Sequence, residues 1–186
     1  MAVSANDLKK GMAIKLGNDI FVVLETQHRT PGNLRAFVQA TLRNIHTRKS
    51  TVHRFSSTEK VETVMLIKKR LEFTYKDKET YHFIDPNTYE DYELHSDVVG
   101  DAAKYLTENL ACDIMFVEGQ AVNVELPPTV VLKVVQSPEA IKGDSATNVM
   151  KTATVETGIT VQVPLFIKEG ELIKIDTRTG HYISRA

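Results

Sequence analysis

The sequence predicts an all-β protein built as three small β-barrel modules in series. Three observations predict it. Apolar residues recur at period two in short runs along a chain of 186 residues, as in Val155, Ile159, Val161 and Val163 and again in Leu172, Ile173 and Ile175. Turn residues such as Gly158, Pro164 and Gly170 separate these runs closely, which suits several modest cores better than one large one. Only one stretch reads as helix. The modules are expected at 1–64, 65–128 and 129–186.

In the first module, Ile14 and the run Phe21 to Leu24 outline a strand pair around the turn Gly17-Asn18-Asp19. Two longer strands then flank Pro31-Gly32-Asn33. On the far side Val38, Ala40 and Leu42 alternate with Gln39, Thr41 and Arg43, the pattern of a half-buried strand. With Pro31 pre-setting φ at the first central position and Gly32 free to take positive φ at the second, a type II turn is expected near the tip. The cluster Ser56-Ser57-Thr58-Glu59-Lys60 marks the approach to the boundary.

Strands of the second module are expected at 71–75, 81–84 and 114–117, with turns at Asp77-Lys78-Glu79 and Asp85-Pro86-Asn87. The segment 100–110 is the helix, with Leu106 and Leu110 four apart on one face. Strands interrupted by one helix suit an oligonucleotide-binding-type (OB) barrel. Pro127-Pro128 ends the module, since neither residue can donate to a ladder, and Val130 to Val135 begins the third. A faint internal repeat relates 116–124 to 166–175.

Composition is that of a folded protein, with 42% hydrophobic and 25% charged residues and no low-complexity tract. The single cysteine, Cys112, has no internal disulfide partner and is expected to pack as a small apolar residue. No basic segment followed by an apolar run opens the chain, and no apolar run approaches the roughly 20 residues that span a bilayer. The expectation is a cytoplasmic protein with no membrane partner. The net charge of −1 divides as +5 over residues 1–64, −7 over 65–128 and +1 over 129–186. A basic head that approaches phosphates, followed by an acidic segment that faces basic protein, suits a large ribonucleoprotein; solvated faces of differing sign would give the same sums.

There is no phosphate loop, His-Glu-x-x-His, Cys-x-x-Cys or Gly-x-Ser-x-Gly, and the six histidines are dispersed, so no catalytic residue, metal or cofactor is expected. Arg29 and Arg35 bracket the hairpin tip, and Arg43, Arg48, Lys49 and Arg54 follow it. Such a set can grip RNA phosphates and 2′-hydroxyls, although a solvated strand face carries the same residues. Tyr75, Tyr81, Phe83, Tyr89 and Tyr92 could stack bases but fit core and edge packing as well. The loop 141–148, with Gly143, Asp144 and Ser145, offers backbone N–H and hydroxyl groups, which any tight loop also needs.

Four blocks together carry a resemblance: Pro31-Gly32 followed by Ala36-Phe37, then Leu42-Arg43-Asn44, Gly143-Asp144, and the terminal run 151–177. The chain resembles the bacterial translation elongation factor P family over its whole length. That resemblance implies a KOW/SH3-like barrel followed by two OB-fold barrels in an L-shaped, tRNA-like arrangement. It implies a monomer that binds the 70S ribosome, its rRNA and its proteins, between the peptidyl and exit tRNA sites, and relieves stalling at consecutive prolines. Proline is a poor peptidyl donor and acceptor, so such a factor works by orienting peptidyl-tRNA, and the ribosome remains the catalyst. Carried over by residue, Pro31, Gly32, Asn33, Leu34 and Arg35 form the peptidyl-tRNA-facing tip; the basic set read from residue type, Arg29, Arg43, Arg48, Lys49 and Arg54, is then expected to be the RNA-contacting face. Gly143, Asp144 and Ser145 face the exit-site codon, while Tyr182 and Arg185 lie near the small subunit.

This chain departs from the family at the tip. Members place a modifiable lysine, or in one branch a glycosylated arginine, directly after the glycine, and here the residue is Asn33. Either the unmodified loop works through rigidity and its own polar groups, which is the expectation, or Arg35 takes the cationic or modified role. A divergent paralogue and a general single-stranded RNA-binding OB-fold protein are the alternatives.

Overall fold

The computed structural model of the chain describes residues 1–139 and 149–186. Its strands form three antiparallel sheets. The first contains β1 (Ala2–Ser4), β2 (Ala13–Leu16), β3 (Asp19–Arg29), β4 (Phe37–Asn44), β5 (Ser50–Ser56) and β6 (Lys60–Val64), in the order β1-β6-β2-β3-β4-β5. The second contains β7 (Ile67–Asp77), β8 (Thr80–Ile84), β9 (Asp91–His95), β10 (Ala111–Val117) and β11 (Gln120–Glu125), in the order β11-β10-β7-β8-β9. The third contains β12 (Thr129–Gln136), β13 (Met150–Val155), β14 (Thr160–Pro164), β15 (Leu172–Asp176) and β16 (Tyr182–Arg185), in the order β14-β13-β12-β15-β16.

Two compact units result. One comprises Met1–Lys69 with Ile114–Asn123, the other Arg70–Asp113 with Val124–Ala186.

Within the first unit, β2 and the start of β3 are buried on both faces. Ile14 and Val23 join Val38, Ala40, Leu42 and Phe55 in one core, while Ala13, Ile20 and Val22 pack with Val117 and Val122 in another. A strand covered on both sides explains the unbroken apolar run Phe21 to Leu24. β4 keeps strict alternation, with Val38, Ala40 and Leu42 fully buried between half-buried neighbours. Leu16 pairs with Asp19 across Gly17 and Asn18, and Gly17 alone of the two has positive φ, +62°, the sign pattern of a type II′ hairpin turn. The cluster after Ser56 is a tight turn closed by Glu59 N–H to the Ser56 carbonyl at 3.0 Å, and β6 returns to pair with β1 and β2.

In the second unit, Phe73 and Phe83 meet edge to face at 5.5 Å on adjacent strands. The expected helix over 100–110 is corrected here. A single α-turn, α1, covers Ser96–Val99, and 3-10 helix follows over Gly100–Tyr105. The His95 imidazole Nδ1 accepts from the Asp97 N–H and caps the start, while Gly100, at φ 54° and ψ −135°, leaves helical space and stops the α-turn. Leu106 is already extended, so Leu106 and Leu110 share no helical face. Leu106 is buried, and Leu110 packs with Tyr105 against the core of the third sheet. That core contains Val130, Leu132, Val134, Val155, Val161, Val163, Ile173 and Ile175. Period two puts Ile173 and Ile175 inside and leaves Leu172 at the surface. β9 and β11 lie outside the expected strands. The repeat is shared in part: Gly119 and Gly170 both take positive φ, 79° and 85°, before β11 and β15, whose Val122, Val124, Ile173 and Ile175 are buried, whereas Phe116 is buried in β10 and Phe166 is exposed after β14 has ended.

Candidate functional site

The hairpin of β3 and β4 builds the site. Its register runs from Phe21 opposite Asn44 to Arg29 opposite Phe37, with Leu24 bulged out between the pairs Val23–Leu42 and Glu25–Thr41. Such a bulge adds twist and re-aims the outer strand. Beyond it Glu25, Gln27 and Arg29 of β3 share a face with Thr41, Gln39 and Phe37 of β4, opposite the fully buried Val38 and Ala40. β5 flanks β4 throughout, pairing Ser56 with Phe37 and Arg54 with Gln39.

The tip spans residues 30–36. One backbone hydrogen bond closes its turn, from the Leu34 N–H to the Pro31 carbonyl at 3.2 Å. Pro31 is therefore the first residue of the turn, and Gly32 and Asn33 are its centre. This corrects the expected type II turn, because neither Gly32 nor Asn33 has positive φ. That sign pattern excludes types II, I′ and II′. The chain uses Pro31 to stiffen entry into the turn rather than its first central position. Gly32, Asn33, Leu34 and Arg35 are exposed, Leu34 by 70%. Asn33 presents an amide donor and acceptor, Leu34 an apolar surface and Arg35 a charged planar fork.

The basic residues do not form one patch. Arg29, Arg35 and Arg54 gather at the tip end. Arg29 Nη2 donates to Gln27 Oε1 at 3.2 Å, and the Arg54 guanidinium lies over the Phe37 ring at 3.7 Å from its centroid. Among the described residues none of these three arginines has a carboxylate partner. Arg48 and Lys49 sit at the other end of β4, roughly 23 Å away at the usual strand rise. There the buried Asn44 organises the turn: its Oδ1 accepts from the N–H groups of His46 (2.8 Å) and Thr47 (3.0 Å), and Arg48 takes φ 61°. Arg43 donates from Nη2 to the Val122 carbonyl at 2.7 Å and is half-buried.

Gly143, Asp144 and Ser145 lie outside the described residues. On β16, Tyr182 packs against the third sheet's core, whereas Arg185 is exposed, 3.3 Å from Glu171 Oε1 and 4.6 Å over the Phe166 ring. β16 follows a turn in which Asp176 Oδ1 accepts from the Arg178 N–H at 2.8 Å. That hydrogen bond, joined by the one from Thr179 N–H and by the Arg178 charge, holds the Asp176 carboxyl below its usual range.

Burial pushes the Cys112 thiol up to about 12, with Arg70 opposing and Asp113 reinforcing the shift, so it stays protonated at neutral pH. Among the described residues, no group of three or more His, Cys, Asp or Glu is placed to hold a metal ion. No described helix is long and apolar enough to cross a membrane.

Sequence reasoning missed the part Phe37 plays under Arg54. The visible signal is an aromatic at the first strand position after the tip, two residues from Gln39, whose cross-strand partner is an arginine.

The family models agree with this architecture. Family models match in three consecutive stretches: the elongation factor P KOW-like domain over residues 4–61, its OB domain over 66–124 and its C-terminal domain over 130–185. Elongation factor P of Acidobacterium capsulatum is 45% identical over 186 residues, covering 100% of both chains. That of Desulfitobacterium hafniense is 41% identical over 184 residues, covering 99% of this chain and 100% of its own. Among solved structures, eukaryotic translation initiation factor 5A from Methanococcus jannaschii aligns with a TM-score of 0.44 and 16% identity, over 67% of this chain and 93% of that one. With three successive models spanning nearly all of its length and full-length relatives above 40% identity, the chain belongs to the elongation factor P family of translation factors.

Proposed function

We propose that the protein binds the ribosome between the peptidyl and exit tRNA sites and positions peptidyl-tRNA, relieving stalls at consecutive prolines. The observation that carries this reading is the hairpin tip: an exposed loop with Asn33, Leu34 and Arg35 at its end and Arg29 behind it, neither arginine having a carboxylate partner among the described residues. A protruding loop with cations at its base suits entry into an RNA-lined site, where the charges offset phosphate repulsion and the tip orients the acceptor end. The tip places no acid–base pair or nucleophile beside another, so its contribution is orientation, with bond formation left to the ribosome.

In this reading 1–64, 65–128 and 129–186 are the working modules of a cytoplasmic monomer, Gly143 to Ser145 approach the exit-site codon, and Tyr182 and Arg185 lie toward the small subunit. The tip works without modification, since Asn33 has no ε-amino group to extend. Added mass on a peptide containing residues 30–35, in protein from its native host, would contradict that last point.

The deciding experiment is reconstituted translation of a message encoding consecutive prolines, beside a proline-free control, with and without unmodified recombinant protein. Selective relief of the stall is expected. Ribosome binding without relief would reject the unmodified-tip mechanism. Equal affinity for free RNA and ribosomes, without relief, would favour the general RNA-binding reading.

A further inference from the structure

We infer that Arg54 is a positioning residue for the hairpin tip, acting through Phe37, and not a phosphate contact. The inference rests on reading the tip as the element that faces peptidyl-tRNA.

The base of the tip is asymmetric. Its last rung aligns Arg29, Phe37 and Ser56 across β3, β4 and β5. Among the described residues, only the outgoing arm has a third strand beside it at this rung. There the Ser57 N–H donates to the Ala36 carbonyl at 3.2 Å, one residue beyond the rung, so β5 holds the chain as it leaves the loop. The loop has little internal bracing: a single 3.2 Å bond closes its turn, and apart from the Ser57–Ala36 bond at its exit, residues 30–36 make no other backbone hydrogen bond outside the strand ladders among the described residues. The direction of the tip is therefore set at its base.

Arg54 acts at that base. Its cross-strand partner is Gln39, two residues further into β4, so its side chain reaches diagonally to Phe37 and lays the guanidinium on the ring at 3.7 Å from the centroid. Phe37 is half-buried and directly follows Ala36, the residue held by Ser57. A guanidinium held this close over the ring fixes the first residue of β4 and, through it, the outgoing arm. The ammonium of lysine keeps the charge but cannot reproduce a planar stack. Arg29 and Arg35, which have no ring to cover, remain available for phosphates.

Arg54→Lys and Phe37→Leu test this on the full chain. Two quantities are read for each: the saturating rate of prolyl–prolyl bond formation on reconstituted ribosomes, and the protein concentration giving half that rate as salt is varied. The expectation is a saturating rate lowered by about tenfold, in line with the cost of small misplacements at a reacting centre. The half-saturating concentration and its salt dependence should stay within about twofold of the parent, because the charge count is unchanged. Arg54→Lys with Phe37→Leu should be no slower than Phe37→Leu alone, since both remove one contact. A second readout needs no ribosome: in the free protein, amide exchange at Leu34 and Phe37 should quicken in Arg54→Lys while exchange at Ala40 stays as in the parent.

An unchanged rate with unchanged exchange would overturn the inference. So would a weaker half-saturation with an intact rate, which is the signature of a phosphate contact. If the parent protein itself gave no stimulation, the reading of the tip would fall, and exchange alone would then decide whether Arg54 braces the loop.

Discussion

The Arg43 guanidinium donates to the backbone carbonyl of Val122 at 2.7 Å, joining β4 to the β10–β11 hairpin inside the first unit. A charge-assisted bond of that length from a half-buried side chain is a structural commitment. Replacing Arg43 with Met should therefore lower stability by about 1.5–3 kcal/mol, the range for a hydrogen bond to a charged group. Denaturant midpoints measure this. An unchanged midpoint with a reduced salt dependence of ribosome binding would return Arg43 to the RNA-contacting face.

The Asn33 and Leu34 side chains are exposed, Leu34 by 70%. Changing Asn33 and Leu34 together to Ala should abolish most relief of proline stalls while shifting ribosome affinity by less than about threefold, as expected of groups that orient rather than bind. Filter binding beside single-round translation separates the two. Parallel loss of affinity and relief would contradict a positioning role.

Arg29 and Arg35 carry unpaired charge at the tip end of the hairpin. Each change to Gln should reduce the salt slope of ribosome binding by about one, as for a lost phosphate contact. Arg185, ion-paired with Glu171 in the second unit, should change that slope by less. Equal slopes for all three variants would reject the assignment of cationic contacts to the tip.

The raised thiol of Cys112 links stability to alkaline pH. The folded-state value of about 12 exceeds the ordinary 9.0, so below pH 9 both states hold the proton and the contribution is complete. Between pH 9 and 12 the unfolded chain ionises first, and stability falls as pH rises. Unfolding midpoints of the parent should therefore drop more steeply over that window than those of Cys112→Ala. In the native state at pH 7.5 a thiol reagent should label Cys112 only as fast as the protein unfolds. Rapid labelling would show that the side chain is accessible.

Strand content, the turn at Gly17 and the alternation of β4 were legible because local chemistry dictates them. Period two sorts Val38, Ala40 and Leu42 from Gln39 and Thr41 whatever they pack against. The failed helix over 100–110 shows the limit of such patterns. Leu106 and Leu110 have the right spacing, but the 3-10 helix ends at Tyr105, Leu106 is extended and buried, and Leu110 packs against the core of the third sheet. The turn at the tip was displaced by one residue for a related reason: Pro31-Gly32 is compatible with a type II turn, but the register from Arg29 opposite Phe37 leaves the loop to close on the Pro31 carbonyl.

By itself the sequence determined an all-β chain with a family signature, a hairpin with a polar tip and an asparagine after the tip glycine, since these depend on residue types and spacings along the chain. Only the tertiary structure decided where the cations lie and what each one touches. Arg29, Arg43, Arg48, Lys49 and Arg54 look equivalent in one dimension. Strand register sends Arg48 and Lys49 to the far end of the hairpin, a carbonyl from residue 122 captures Arg43, and Phe37 takes the face of Arg54. These are pairings between positions distant in the chain or across a ladder. Their energies depend on geometry that no local pattern encodes.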